Sequence, residues 1–423
     1  MTISKKLSNT IVDAKAFQKG DAVDEAFASL RRDSPFEVAT PDGYDPFWVA
    51  TRHAEIVEIE RQPDVFHAGD RANTVRPAAE VLQTMAMTGG DPNWVHALVA
   101  LDGDVHKAMR AILFPHVTPK ALKTMREGLG DVSRQFVDQM LAKAPECDFA
   151  TEIAFLYPLR VIMQLLRIPI EDEPFMLSVT QQLFSSEDPE LNLTRSEVSA
   201  AQQRDVLMRI NAEFEAYFDK VTLDRRANPD SSLCSLIANA TYQGEYLSRK
   251  LLMGYYMIAA TAGHDTTANT LSGGMWALAK DPALLPQLQR NPELIDAFIE
   301  ESIRWTVPVK HFMRSAAVDT ELAGRKVSKG DWIMLSFHSA ARDEAVYEEP
   351  HAFRLDRPMN RQIAFGFGSH VCLGQHLARM EMKLFWEELL PRIKAVSLAG
   401  EPERTRSNFV CGPKHVPIRF ELA

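Results

Sequence analysis

The sequence is short of three things, and each shortage excludes a class of function. Positive charge is in deficit, with 47 Lys and Arg against 57 Asp and Glu, for a net charge of −10. Nothing in that balance favours a nucleic-acid partner. Cysteine is scarce: Cys147, Cys234, Cys372 and Cys411 are scattered and form no C-x-x-C pair. That excludes a disulfide framework, a zinc site and an Fe–S set, and it suits a reducing cytoplasm. Long apolar runs are missing as well. The most apolar stretch, Leu251 to Gly263, is well short of the roughly 20 residues a membrane span needs. It reads as a buried helix, so no membrane anchor is expected. The opening MTISKKLSNTIVDAKAF has no apolar core of the signal-peptide kind. There is no internal repeat and no Gly-rich dinucleotide fingerprint.

What is present is ordinary globular composition, 46% hydrophobic and 25% charged over 423 residues. Length alone allows two or three domains. Helical patterns dominate from about Ala54 to Arg290, including one unusually long helix from about Leu247 to Lys280 that Asp281-Pro282 stops. Strand-like pieces lie near Phe47–Thr51, in WIMLSF and in HVPIRFEL. The expected fold is mainly α with a minor β region. Its β-containing pieces fall near 35–70, 305–360 and 395–423, and its helical body near 75–300 and 373–390.

One stretch asks for chemistry. In FGFGSHVCLGQHLARME, residues Phe365 to Glu381, a Gly-rich turn carries a single thiol into a helical stripe of Leu373, Leu377, Met380 and Leu384. Unpaired N–H groups at a helix start push a cysteine toward thiolate. Such a thiolate suits an electrophile or a soft metal. A lone cysteine is more often plain core, but the turn specifies Phe365, Gly366, Gly368, His370, Cys372 and Gly374 together.

The stretch resembles the haem-binding signature of the cytochrome P450 superfamily of haem-thiolate monooxygenases. The likeness runs from about Asp45 to the C-terminus. It is strongest with soluble bacterial members that oxidise terpenes such as terpineol, through RWTVPVKHFMR, GQHLARMEMKLFWEELLP and NFVCGPKHVPIRF. It implies haem b with Cys372 as the axial iron ligand and Phe365, Gly368 and Gly374 around the cofactor. His106, Arg110, Arg314 and His370 match positions that hold the haem propionates. In AGHDTT, the resemblance makes Asp265 and Thr266 the acid–alcohol pair that feeds protons to O–O cleavage, with Gly263 allowing the helix to open. Glu301 and Arg304, three apart on one helix face, would lock the fold with Arg357. The motifs must converge on one cofactor, so 1–423 is expected to be a single cytochrome P450 domain. Two local departures stand out: Ala340-Ala341-Arg342-Asp343 replaces the family's usual Ala-Asn-Arg-Asp, and Gln362 replaces a His.

The resemblance also maps a pocket of Met257, Ile258, Thr261, Ala262, Val309, Phe409 and Val410. It is roofed by the loop from about Met85 to Leu98 and by LSVTQQLFSS. These are mostly apolar, as for a small hydrophobic ligand such as a terpenoid or aromatic hydrocarbon. Lys310 and His311, which follow Val309, are the residues that could hold an anion if they turned inward. Without flavin or Fe–S segments, electrons are expected from a ferredoxin and an NAD(P)H-dependent ferredoxin reductase, with Lys107, Arg110, Lys120 and Lys123 as a basic patch. The rival readings are a haem-thiolate peroxygenase or isomerase without an electron partner, a steroid or fatty-acid hydroxylase, and a non-catalytic haem carrier or gas sensor.

Overall fold

A computed structural model describes residues 2–94, 96–185, 187–192, 200–358 and 362–423. Val95, within the first roof loop, and Ser186, at the end of the second roof stretch, lie outside them. Three short helices open the chain, Lys5–Thr10, Ala14–Lys19 and Asp21–Asp33. The side chains of Ser4 and Asp13 cap the first two by accepting from Leu7 N–H and Lys15 N–H.

The main sheet has five strands in the order Phe36–Ala39, Phe47–Ala50, Trp332–Ser336, His311–Ala316 and Phe66–His67. Its central strand pairs Ile333 with Trp48 in parallel and Met334 with Met313 antiparallel. Every residue of Trp332–Ser336 is buried, which explains why WIMLS reads as a continuous apolar run rather than an alternation. A second sheet joins Ile393–Leu398 to Pro417–Leu422 and to Glu146–Asp148. Most of the strands lie in or beside the segments 35–70, 305–360 and 395–423. The strand Glu146–Asp148 and the small pair Thr241–Tyr242 with Glu245–Tyr246 lie within the expected helical body. Neither had a local signal, because each depends on a partner or a tight turn.

The helical body is centred on Pro119–Leu141 packed against Gln375–Leu389. Phe149, Tyr157 and Phe385 cluster there, with ring centres 5.7 and 5.2 Å from Phe385, and the Tyr157 hydroxyl donates to the Glu381 carbonyl at 2.8 Å. The long central helix is not continuous. It runs as Arg249–Thr261 and Asp265–Lys280, with a turn at 262–264. The interruption has visible causes. His264 N–H reaches back only to the Thr261 carbonyl, and the Thr266 hydroxyl donates to the Ala262 carbonyl at 2.7 Å. The first roof loop rests directly on the earlier half. A Cβ at Gly254 would stand 2.5 Å from the His96 carbonyl group, so only glycine permits this approach.

Candidate active site

The cysteine turn is shaped by its backbone. Gly366 and Gly368 have φ of 75° and 65°, and a Cβ on Gly368 would also collide with the Glu60 carbonyl. Cys372 N–H closes the turn on the Phe365 carbonyl at 2.8 Å. The helix Gln375–Leu389 follows, and the N–H groups of Gly374 and Gln375 face the Cys372 sulfur. Nothing lies within 4 Å of a Cβ placed on Gly374. The Arg379 guanidinium covers the Phe365 ring at 4.5 Å. Burial raises the Cys372 pKa and outweighs the N–H groups and the Arg110 and Arg379 charges that lower it. A metal cation at the sulfur would favour the thiolate.

Beside the turn, the four predicted propionate donors come together. The rings of His106 and His370 lie 4.2 Å apart at 32°. Burial drives the His106 pKa down to about 4, and the charges of His370, Arg110 and Arg314 push the same way. His106 Nε2 is buried with no hydrogen-bond partner. Arg110 also feels the Cys372 sulfur, so it joins the two groups. Arg314 is partly engaged already, by Glu60 Oε1 at 2.6 Å and the Met313 carbonyl at 2.8 Å.

The central helix separates its predicted residues onto two stripes. Ile258, Ala262 and Thr266 are half-buried, together with Ala259 and Gly263. Met257, Thr261 and Asp265, one residue round, are buried. Thr261 turns its hydroxyl to its own Met257 carbonyl at 2.7 Å. The acid and the alcohol do not touch, as expected of adjacent helical residues. Burial raises the Asp265 pKa, which His264 partly offsets. Its Oδ1 is 3.2 Å from His264 Nδ1, while Oδ2 has no partner. Across from the helix, Val309 and Phe409 are half-buried, and Val410 is buried in a backbone bridge to Val309.

The predicted lock is assembled. Arg304 grips Glu301 with Nε–Oε2 at 2.7 Å and Nη2–Oε1 at 2.6 Å, and Arg357 Nε reaches Oε1 at 3.1 Å. Gln362 has a local task of its own, with Nε2 donating to Glu300 at 3.0 Å and Oε1 accepting from Ala364 N–H at 2.9 Å.

Sequence reasoning missed two buried polar residues. His264 is fully buried between three elements. Glu381 is fully enclosed on the helix after the cysteine, where burial holds its carboxyl well above the carboxylate range and the Thr267 hydroxyl only partly opposes this. Its position in the Leu377–Glu381–Leu384 row of an apolar face was the available signal.

The cytochrome P450 family model matches residues 71–419, most of the chain. The chain belongs to the cytochrome P450 family. It is 38% identical over 423 residues to Cytochrome P450-terp from a Pseudomonas species, covering 100% of this chain and 99% of that one. It is 30% identical over 404 residues to a steroid C26-monooxygenase of Mycolicibacterium smegmatis, covering 94% and 90%. The crystal structure of CYP108D1 from Novosphingobium aromaticivorans matches with TM-score 0.92 and 36% identity over 100% of both chains. The fold is thus the P450 fold, and the chain is a haem-dependent oxidoreductase of the hydroxylating kind. No described helix is long and apolar enough to cross a membrane.

The P450 cofactor is haem b with an axial cysteine thiolate, and the residues here fit it. Cys372 offers a sulfur backed by two N–H groups. Gly374 leaves the space above it clear. An unpartnered His106 Nε2 among three further cationic or donor side chains suits a pair of carboxylates.

Proposed function

We propose that this P450 hydroxylates a compact neutral hydrophobic molecule, a terpenoid or small aromatic hydrocarbon, within one haem-bearing unit of residues 1–423 in the cytoplasm. The balance is RH + O₂ + two electrons + two protons giving ROH + water. Haem held through a thiolate supplies the activation of dioxygen and the cleavage of its O–O bond. In this reading Cys372 would hold the haem iron through its sulfur, and His106, Arg110, Arg314 and His370 would hold the propionates. Asp265 Oδ2, buried and unpartnered, is the atom that gives and regains a proton. Thr266 donates to the Ala262 carbonyl and so keeps its oxygen lone pairs for a water.

The observation that carries the substrate class is the absence, among the described residues of the predicted pocket, of a free cation beside the apolar lining. His311 spends both nitrogens, with Nε2 accepting from Val75 N–H at 3.0 Å and Nδ1 on the Asn408 carbonyl at 3.1 Å. Burial drives its pKa down to about 4, so it is neutral. Lys310 turns its amine to the Thr306 carbonyl at 2.9 Å. Half-buried Ile258, Ala262, Val309 and Phe409 remain. Burying a neutral ring against them gains about 25 cal/mol per Å² of apolar area. An unpaired carboxylate there would cost several kcal/mol. The likeness to Cytochrome P450-terp supports the compact terpenoid, and the steroid C26-monooxygenase relative supports a larger ring system as the second reading.

Electrons come from a ferredoxin fed by an NAD(P)H-dependent reductase. Lys120 and Lys123 are exposed and available to an acidic partner, Lys107 is exposed but paired with Asp104 at 3.2 Å, and Arg110 is half-buried toward Cys372 and leaves the patch. The test is a titration of the ferric protein with a monoterpenoid, an alkylbenzene, a steroid and a long-chain fatty acid, read as conversion to high spin. The neutral monoterpenoid or alkylbenzene should give the fullest conversion. A fuller change with the fatty acid overturns the substrate class. Product formed per NAD(P)H with a ferredoxin present excludes the peroxygenase, isomerase and carrier readings.

A further inference from the structure

His264 is the residue that neither the resemblance nor the reaction assigns, and its contacts are unusually complete. Its side chain is 0% exposed. Nε2 lies 2.5 Å from the Phe155 carbonyl. A carbonyl only accepts, so Nε2 carries a proton. Nδ1 faces two oxygens, Thr180 Oγ1 at 2.8 Å and Asp265 Oδ1 at 3.2 Å. Thr180 belongs to the roof helix Glu173–Phe184, and its hydroxyl also reaches the Leu177 carbonyl at 2.9 Å. One imidazole therefore joins the end of the Ala150–Ala154 turn, the roof helix and the buried acid of the central helix.

We infer that His264 is a positioning residue for Asp265 and makes that position depend on the roof helix. This rests on the reading of Asp265 as the proton-handling acid. The ring is pinned at Nε2 by Phe155, and Thr180 sets its rotation about the remaining axis. Only in that rotation does Nδ1 meet Asp265 Oδ1. Holding Oδ1 leaves Oδ2 as the one carboxyl atom free to move a proton, and it is the atom that has no partner. A ligand that displaces the roof helix displaces Thr180 and lets the imidazole turn. Asp265 then loses its orientation. Proton delivery is thereby coupled to a correctly seated substrate, through the Thr180–His264 hydrogen bond and the close His264–Asp265 contact.

The test uses the haem-loaded full chain and three variants. Thr180→Val keeps shape and removes the roof contact to His264, along with the hydroxyl's bond to the Leu177 carbonyl within its own helix. His264→Phe keeps a flat ring and removes both nitrogens. Asp265→Asn is the control for the underlying reading. The first measurement is independent of turnover: the infrared band of the Asp265 side chain, as carboxyl or carboxylate, in the resting ferric protein, assigned by its loss in Asp265→Asn. That band should shift in Thr180→Val and in His264→Phe. The second is turnover and peroxide released per NAD(P)H. His264→Phe should slow turnover about tenfold, a part of the roughly 10²–10⁴ that a positioned proton donor contributes, and Thr180→Val should release more peroxide. If Asp265→Asn turns over normally, the reading of Asp265 fails and the inference with it. If Asp265→Asn is slow but Thr180→Val leaves band and peroxide unchanged, the inference alone is wrong. It is equally wrong if His264→Phe only lowers the melting temperature. Should His264→Phe fail to fold, Thr180→Val decides the matter.

Discussion

Replacing Arg304 with Met removes the centre of the ion lock, and the structure says how much that costs. Arg304 is 2% exposed and makes five hydrogen bonds: two to Glu301, and one each to the carbonyls of Ala341, Pro350 and Ala352. Part of this survives its loss. Glu301 Oε1 keeps Arg357 Nε at 3.1 Å and Arg354 N–H at 2.9 Å, and the Ala352 carbonyl keeps Arg357 Nη2 at 3.1 Å. What is orphaned is Glu301 Oε2 and the buried Ala341 carbonyl, with the Pro350 carbonyl reached by some water. Each buried acceptor left without a donor costs about 1–3 kcal/mol. The sum is roughly 3–5 kcal/mol, the range for breaking a buried ion pair. That is roughly a fifth or more of a total stability of about 5–15 kcal/mol. Arg357 bonds the carbonyls of Glu348 and Glu349 at exposed positions, where water replaces it. Arg357→Met should therefore cost only about 1–2 kcal/mol. Urea unfolding of the haem-loaded proteins by circular dichroism gives both values, with Arg304→Lys as the measurable variant if Arg304→Met does not accumulate. The reasoning is refuted if the Arg304 variant loses less than the Arg357 variant.

Four further outcomes are expected. Cys372→His should abolish the strongly red-shifted thiolate band of the ferrous–CO complex, and survival of that band would exclude Cys372 as ligand. Thr266→Ala should bind haem and substrate normally yet yield less product per NAD(P)H, with undiminished coupling counting against the proton relay. Gly254→Ala places a Cβ 2.5 Å from the His96 carbonyl group, so the roof loop must lift and bound ligand should dissociate faster in stopped-flow. His415 stands between Asp148 Oδ2 at 2.5 Å and Glu190 Oε1 at 2.7 Å, and only the doubly protonated ring donates to both. Burial opposes that charge, but the two carboxylates outweigh it and raise the pKa above 6.5. Its stabilisation is full below about pH 6.5 and fades as pH rises through the raised value. Melting curves across that range should fall more steeply for the wild type than for His415→Gln, and parallel curves would remove His415 from the account.

Much was legible in the chain because it was local. The turn from Phe365 to Gly374 is written in glycines whose positive φ needs no distant partner, at Gly366 and Gly368. The three strand regions and the helical body follow from periodicity. Glu301 and Arg304 share a helix face by spacing alone. Tertiary structure decided the rest, since burial and hydrogen-bond partners are properties of segments far apart in sequence. The Cys372 thiol sits near a helix start, yet burial turns its pKa upward. Arg110 looks like a surface charge in its own helix and is half-buried toward the sulfur. Lys310 and His311 could have held an anion, until Thr306, Val75 and Asn408 took their donors and acceptors. The strand Glu146–Asp148 exists only because Pro417–Leu422, at the other end of the chain, supplies its edge. The apolar run of the central helix was readable, but which row opens inward was not. A single helix pattern specifies that rows exist, and only the packing of its neighbours decides that Ile258, Ala262 and Thr266 stay open while Met257, Thr261 and Asp265 are enclosed.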